Sequence, residues 1–202
     1  YDWDDIIRSV SASFQMEWEL SVADLVEKYC HPPHIKLYPG AFQLLSTLSQ
    51  EGHVLRALTN GYYIYQYPVL RALGIAPFFE RIVTPEKLGA AKPQRKFYLA
   101  AQKDAPQPHI HVGDTVIHDI WGANRSGAIS VWVKHDLPSE WENLTPEKRA
   151  RDPLITTLVQ EGINSDLCPH CHPGLELKEA LPHFVINDLS EVEGIITSLV
   201  KS

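Results

Sequence analysis

Asp114 and Asp119 stand five positions apart, directly after the apolar run His109-Ile-His-Val-Gly113. A short apolar run ending at glycine reads as a buried strand of a parallel sheet. Such a strand delivers polar groups to the crevice at its carboxyl end, where α/β proteins bind ligands. Two carboxylates there are hard oxygen ligands suited to Mg²⁺, which takes one or two carboxylates together with waters and phosphate oxygens. Two further segments end in polar groups. Leu58-Thr59-Asn60-Gly61 closes another apolar run, and the Thr59 hydroxyl and the Asn60 amide are hydrogen-bond donors. Lys92, just before Pro93, supplies a cation.

Each of these residues also has a plainer use. Thr59 is a β-branched residue ending a strand, Lys92 a solvated lysine ahead of a helix, and Asp114 an N-cap for the helix that follows it. Two carboxylates one helical turn apart that face the same crevice repel unless a cation lies between them, which favours metal ligation. His118, next to Asp119, is placed to tune that carboxylate or to sit on a helix surface.

The elements needed to position these groups follow from periodicity. Trp3, Ile6, Ile7, Val10, Phe14 and Trp18 recur at three- and four-residue spacing and predict an amphipathic helix with a packed stripe. Ser21 with Asp24 resembles a capping pair opening a second helix, whose buried face would be Val22, Leu25, Val26 and Tyr29. Cys30-His-Pro-Pro-His34 breaks it, and a third helix runs from Pro39-Gly40 to Gly52. Strands are then expected at 54–58, 81–84, 109–113, 129–133 and 183–186. Helices are expected at 64–73, 93–103, 118–126 and 189–200. This alternation implies an α/β fold, Rossmann-like, with a mostly parallel sheet and helices on both faces. Residues 134–182, rich in proline and charge, interrupt the order as an insertion.

Composition narrows the function classes. The chain has 202 residues, enough for one good core with a small appended domain, and its apolar fraction of 44% and charged fraction of 21% are those of a globular protein. A net charge of −7 argues against a nucleic-acid or anionic-membrane partner. No apolar run approaches the length of a membrane span, and the acidic opening Tyr1-Asp-Trp-Asp-Asp5 is unlike a signal peptide. Three cysteines, an odd number, do not make a disulfide framework, so a cytoplasmic protein is expected. Oligomeric state has no signature here.

Taken in order, Leu58-Thr-Asn-Gly61, Lys92-Pro93 and Gly113-Asp114 with Asp119 resemble the motifs of the haloacid dehalogenase-like hydrolase superfamily, whose members are mostly phosphatases. The resemblance covers roughly residues 38–202, and residues 1–37 look like the C-terminal part of that family's helical cap. It implies hydrolysis of a small phosphate monoester through an aspartyl-phosphate intermediate. Thr59, Lys92 and Asp114 would be catalytic; Thr59, Asn60, Gly61 and Lys92 would bind substrate; Asp114 and Asp119 would hold Mg²⁺. The family's first motif, a strand ending in Asp-x-Asp, supplies the nucleophile, and no such strand stands in this sequence. Asp2-Trp-Asp4 matches the letters, but no apolar strand precedes it and a helical period follows. That first strand lies at the centre of the family's sheet, and its loss would leave two inner edges unpaired. The expectation is therefore that the nucleophile lies upstream of residue 1.

Two rival readings stay open beside the phosphatase. One is 2-haloacid dehalogenation on the same fold, although the metal-independent dehalogenases carry serine where this chain has Thr59 and Asp114. The other is a catalytically inactive binding domain. Cys168-Pro-His-Cys171 within the insertion allows Zn²⁺ ligation by Cys168 and Cys171 with His170 or His172, and Cys30, His31 and His34 are the other candidate ligands. Its redox use in thioredoxin folds needs a strand directly before it, and here Pro173-Gly174 follows at once. A reduced loop pair without a role is the third possibility.

Overall fold

The computed structural model describes residues 2–165, 172 and 174–200 and divides into two units, residues 1–91 and 92–202, each with its own parallel sheet. The first unit opens with capped helices. Asp2 accepts from the Asp5 amide and caps α1 (Trp3–Ser13); Ser21 accepts from the Asp24 amide and caps α2 (Val22–Tyr29), as the Ser21/Asp24 spacing predicts. The Asp4 carboxylate accepts from the Val22 amide at 2.5 Å and the Ser21 hydroxyl at 3.3 Å, so the first turn of α1 closes the start of α2. The Tyr65 hydroxyl donates toward both Asp2 (3.0 Å) and Asp4 (3.2 Å). Asp2 and Asp4 are thus capping residues of a helical pair, in keeping with their rejection as a nucleophile motif.

The stripe on α1 departs from expectation. The helix ends at Ser13, and Gln15 takes a φ of 54°, which stops it short of Trp18. Trp3, Val10, Phe14 and Trp18 are 46%, 53%, 72% and 40% exposed, and α1 buries no residue. On α2 the expected face of Val22, Leu25 and Val26 is only half-buried, and Tyr29 is exposed. Periodicity reports that a helix has an apolar face; it does not supply a surface to cover it.

α3 (Ala41–Gln50) follows Gly40 (φ 75°) and leads into β1 (Arg56–Leu58), then α4 (Tyr63–Ala72), β2 (Arg81–Val83) and the short α5 (Pro85–Leu88). β1 and β2 pair in parallel, with Arg56 opposite Arg81 and Leu58 opposite Val83. Among the described residues β1 pairs with no other strand.

The second unit contains α6 (Arg95–Gln102), β3 (Ile110–Gly113), a π-helical turn (Val116–Trp121), α7 (Gly122–Arg125) and β4 (Ile129–Val133). After these come α8 (Pro146–Arg151), α9 (Leu154–Asn164), β5 (Phe184–Ile186) and α10 (Glu191–Val200). The strands lie in the order β3-β4-β5, all parallel, with Gly113 opposite Trp132. The fold class is α/β, as the alternation predicts. The π-helical turn stands where an α-helix from residue 118 is expected, and it buries Val116, Ile117, Asp119, Ile120 and Trp121.

Residues 134–182 do more than interrupt the order. Ile155, Val159 and Ile163 of α9 join Trp141 in a core with Val116, Ile117, Ile120 and Trp121 of the π-helical turn and with Trp132 and Val185. Gly162 allows the close approach, since a Cβ there would lie 2.4 Å from Val116 Cγ2. Arg149 of α8 is buried because its guanidinium is satisfied: it donates to the Trp141 and Val185 carbonyls and pairs with Glu191 at 2.7 Å. Among the described residues no helix is long and apolar enough to cross a membrane.

Candidate active site

β3 ends at Gly113, and that glycine is required by what folds back over it. A Cβ at Gly113 would lie 2.3 Å from Asp119 Cγ, so a side chain here would expel the carboxylate. The π-helical turn brings Asp119 back onto the strand end, where it is 2% exposed. Its Oδ1 accepts from Lys92 Nζ at 2.7 Å and from His111 Nε2 at 3.0 Å. Its Oδ2 accepts from the Thr115 amide at 3.1 Å and the Thr115 hydroxyl at 2.5 Å. Burial alone would raise the Asp119 pKa. The His111 hydrogen bond and the Lys92 charge outweigh it and hold the carboxyl well below the usual carboxylate range.

Lys92 is held at both ends. His118 Nδ1 donates to its backbone carbonyl at 3.1 Å while Asp119 takes its ammonium. His118 therefore fixes the Lys92 backbone, and the histidine that touches Asp119 is His111 on the strand. Tyr98 of α6 supports both: its hydroxyl donates to the His118 carbonyl, and its ring stands edge-on to His111 at 5.1 Å. Burial and the Asp119 charge push the Tyr98 hydroxyl up, which keeps it a neutral donor. Gly122 leaves room for that ring, since a Cβ would lie 2.5 Å from Tyr98 Cε2.

Asp114 differs in every respect. It is exposed at the carboxyl end of β3, and its backbone carbonyl accepts from Trp132 Nε1 at 2.9 Å. It is not an N-cap: the helical turn begins after Thr115, with no side-chain cap. Asp114 thus presents an open carboxylate, whereas each oxygen of Asp119 already accepts two hydrogen bonds. A hard cation fits the open carboxylate of Asp114, with the remaining positions left to waters and phosphoryl oxygens, whereas Asp119 reaches such an ion only through a water that displaces one of its present donors. Among the described residues no three His, Cys, Asp or Glu side chains converge as a metal site, so Cys30, His31 and His34 do not form one. Cys168 and Cys171 lie outside the described residues. His172 packs its ring against His118 (6.2 Å) and Trp121 (5.7 Å).

In the first unit, Thr59 extends the β1–β2 ladder, its amide donating to the Val83 carbonyl at 3.2 Å. Its hydroxyl accepts from the Gly61 amide at 3.1 Å and donates to Gln66 Oε1 at 3.2 Å. Asn60 and Gly61 continue the same turn into α4, whose first amide, from Tyr63, is capped by Glu86 at 2.8 Å. Lys92 and Asp119 are joined in the structure; Asp114 is adjacent in chain but apart in environment. His111, Thr115, Tyr98 and Gln66 were not anticipated. The one available signal was His111, a polar residue inside an apolar strand and two positions before Gly113.

The haloacid dehalogenase-like hydrolase model matches residues 13–127. Glyceraldehyde 3-phosphate phosphatase of Pyrococcus furiosus is 30% identical over 165 residues, covering 79% of this chain and 67% of that protein. The enzyme of the same name from Methanopyrus kandleri is 35% identical over 112 residues, covering 54% of this chain and 48% of its own length. The chain thus spans about half to two thirds of the length of these relatives. Among solved structures, the magnesium-bound HAD-hydrolase YfnB of Bacillus subtilis superposes with a TM-score of 0.61 at 21% identity, covering 96% of this chain and 70% of that one. The strand-end motifs, the Lys92–Asp119 pair and these matches agree: the chain belongs to the haloacid dehalogenase-like hydrolase family.

Proposed function

We propose that the protein is a Mg²⁺-dependent phosphatase that hydrolyses a small phosphate monoester through an aspartyl-phosphate intermediate. The observation that carries this is the ion pair between half-buried Lys92 and buried Asp119 at the carboxyl end of β3, where Asp119 lies five residues beyond an exposed Asp114. A lysine held by a carboxylate that stays ionised at neutral pH is a fixed cation, and a fixed cation at a strand end stabilises phosphoryl charge as it develops without reorganising. Thr59 and Asn60 donate to the phosphoryl oxygens. Asp114 would hold Mg²⁺, with Asp119 reaching it through a water that takes the place of one of its present donors, and the bound ion would neutralise charge on the transferring group. The route requires a nucleophilic aspartate, which we infer to lie upstream of residue 1, and residues 1–37 would contribute to a helical cap. The names of the relatives support a phosphorylated small metabolite as substrate.

The test is a panel of phosphate monoesters assayed with Mg²⁺ and again with excess chelator. Turnover that disappears with chelator is expected. Chloride release from a 2-haloacid that survives chelator would replace phosphatase by dehalogenase. Turnover of neither substrate class would leave a binding domain.

A further inference from the structure

Gln66 lies on the first turns of α4, seven residues after Thr59. Its side chain folds back across Gly61: a Cβ built there would stand 2.6 Å from Gln66 Nε2 and 2.9 Å from Gln66 Cγ. The carboxamide reaches the Thr59 hydroxyl at 3.2 Å, and that hydroxyl also accepts the Gly61 amide at 3.1 Å. A turn of the chain is thus tied around a single hydroxyl oxygen, and Gln66 is the one partner with a movable donor and acceptor.

We propose that Gln66 is a positioning residue that sets the direction of the Thr59 hydroxyl proton and makes Thr59 an obligate donor to the substrate's phosphoryl oxygen. This role rests on the phosphatase function proposed above. A hydroxyl has one proton and two lone pairs, and here the Gly61 N–H occupies one lone pair. A carboxamide offers an acceptor at one end and a donor at the other. Without substrate, Gln66 Oε1 accepts the Thr59 proton. When a phosphoryl oxygen arrives, a half-turn of the carboxamide presents Nε2 to the second lone pair of the hydroxyl. Both lone pairs are then filled, and the proton has the phosphoryl oxygen as its acceptor. Glutamate at this position is an acceptor alone: it keeps the proton and adds a negative charge beside an anion. Methionine fills the space and directs nothing.

Hydrolysis of p-nitrophenyl phosphate with Mg²⁺ by the full-length protein, including the segment that carries the nucleophile, tests this, with Gln66→Glu, Gln66→Met and Thr59→Val compared against wild type. Donation to the phosphoryl group is made in the ground state and the transition state alike, so the change falls mainly on KM. Gln66→Glu is expected to raise KM on the order of ten- to a hundredfold, the range of one hydrogen bond to a charged group. Inhibition by inorganic phosphate should weaken in parallel, and Gln66→Met should cost only a few-fold. Glu and Met variants with equal KM increases would mean that Gln66 only fills space, which overturns the proposal. So would wild-type KM in both, or in Gln66→Met alone should Gln66→Glu not fold, while Thr59→Val is impaired. Wild-type KM in Thr59→Val as well would remove Thr59 from phosphate binding, and the role of Gln66 with it.

Discussion

α1 and α9 are both helices of 11 residues with an apolar stripe, yet they end in opposite surroundings. α9 buries Ile155, Val159 and Ile163; α1 buries nothing, and Phe14 just beyond its end is 72% exposed. The difference is what each meets. α9 lies against the π-helical turn that carries Asp119, in a core shared with Trp121, Trp132 and Trp141. α1 makes polar anchors instead, through Asp2 and Asp4 to Tyr65 and the start of α2. The geometry around Asp119 therefore depends on a segment whose sequence looks like an insertion, while the more regular amphipathic helix leaves its apolar face exposed.

If the end of β3 is where chemistry occurs, the largest effects fall there. Lys92→Ala should lower turnover of a phosphate ester by several orders of magnitude, because the developing charge loses its fixed cation; near-normal kcat would remove that role. Asp114→Asn should abolish Mg²⁺-dependent turnover with the melting temperature unchanged, since the carboxylate is exposed. Full activity in that variant would take the metal away from Asp114.

Stability should divide along the same line. Ile155→Ala opens a cavity beneath the π-helical turn and should cost about 2–5 kcal/mol in denaturant unfolding. Val10→Ala on α1 should stay within about 0.5 kcal/mol, as for exposed positions generally. Comparable costs at the two sites would mean that the α1 face is covered in solution.

Asp119 adds a dependence on pH. Its folded pKa lies below the ordinary value of 3.8, so it contributes stability that is fully present above that value. The contribution is lost progressively as pH falls below about 4 toward the folded pKa. The wild type should therefore lose more stability between pH 5 and 2, on the order of one to a few kcal/mol, than Asp119→Asn does. Parallel acid curves for the two proteins would show that the carboxylate is not held ionised by Lys92 and His111.

Much of this was legible in the chain. The alternation of strands and helices appears because burial on one face imposes a local period, and β4 (Ile129–Val133) has the expected bounds. The strand-end motifs were readable because each is a few adjacent residues whose polar groups must follow an apolar run. Thr59 and Asp114 indeed stand where strands end, whereas Lys92 lies in a turn ahead of α6, which starts at Arg95 rather than at Pro93. Boundaries were less legible. β1 is shorter than the run 54–58, α1 stops at Gln15, and a π-helical turn replaces α-helix after Asp114, because backbone conformation at those points answers to neighbours that spacing does not name.

Sequence alone determined that two aspartates follow β3 and that a lysine and a threonine accompany them. Only the tertiary structure decided that the two aspartates differ. Asp119 receives Lys92 from 27 residues away, His111 from eight and Thr115 from four, and these donors fill the lone pairs of a carboxylate buried against Gly113. Asp114, five residues earlier, keeps its oxygens open to solvent. The physical reason is that hydrogen-bond saturation and burial depend on distances between groups far apart in the chain, and residue type and spacing carry no record of those distances.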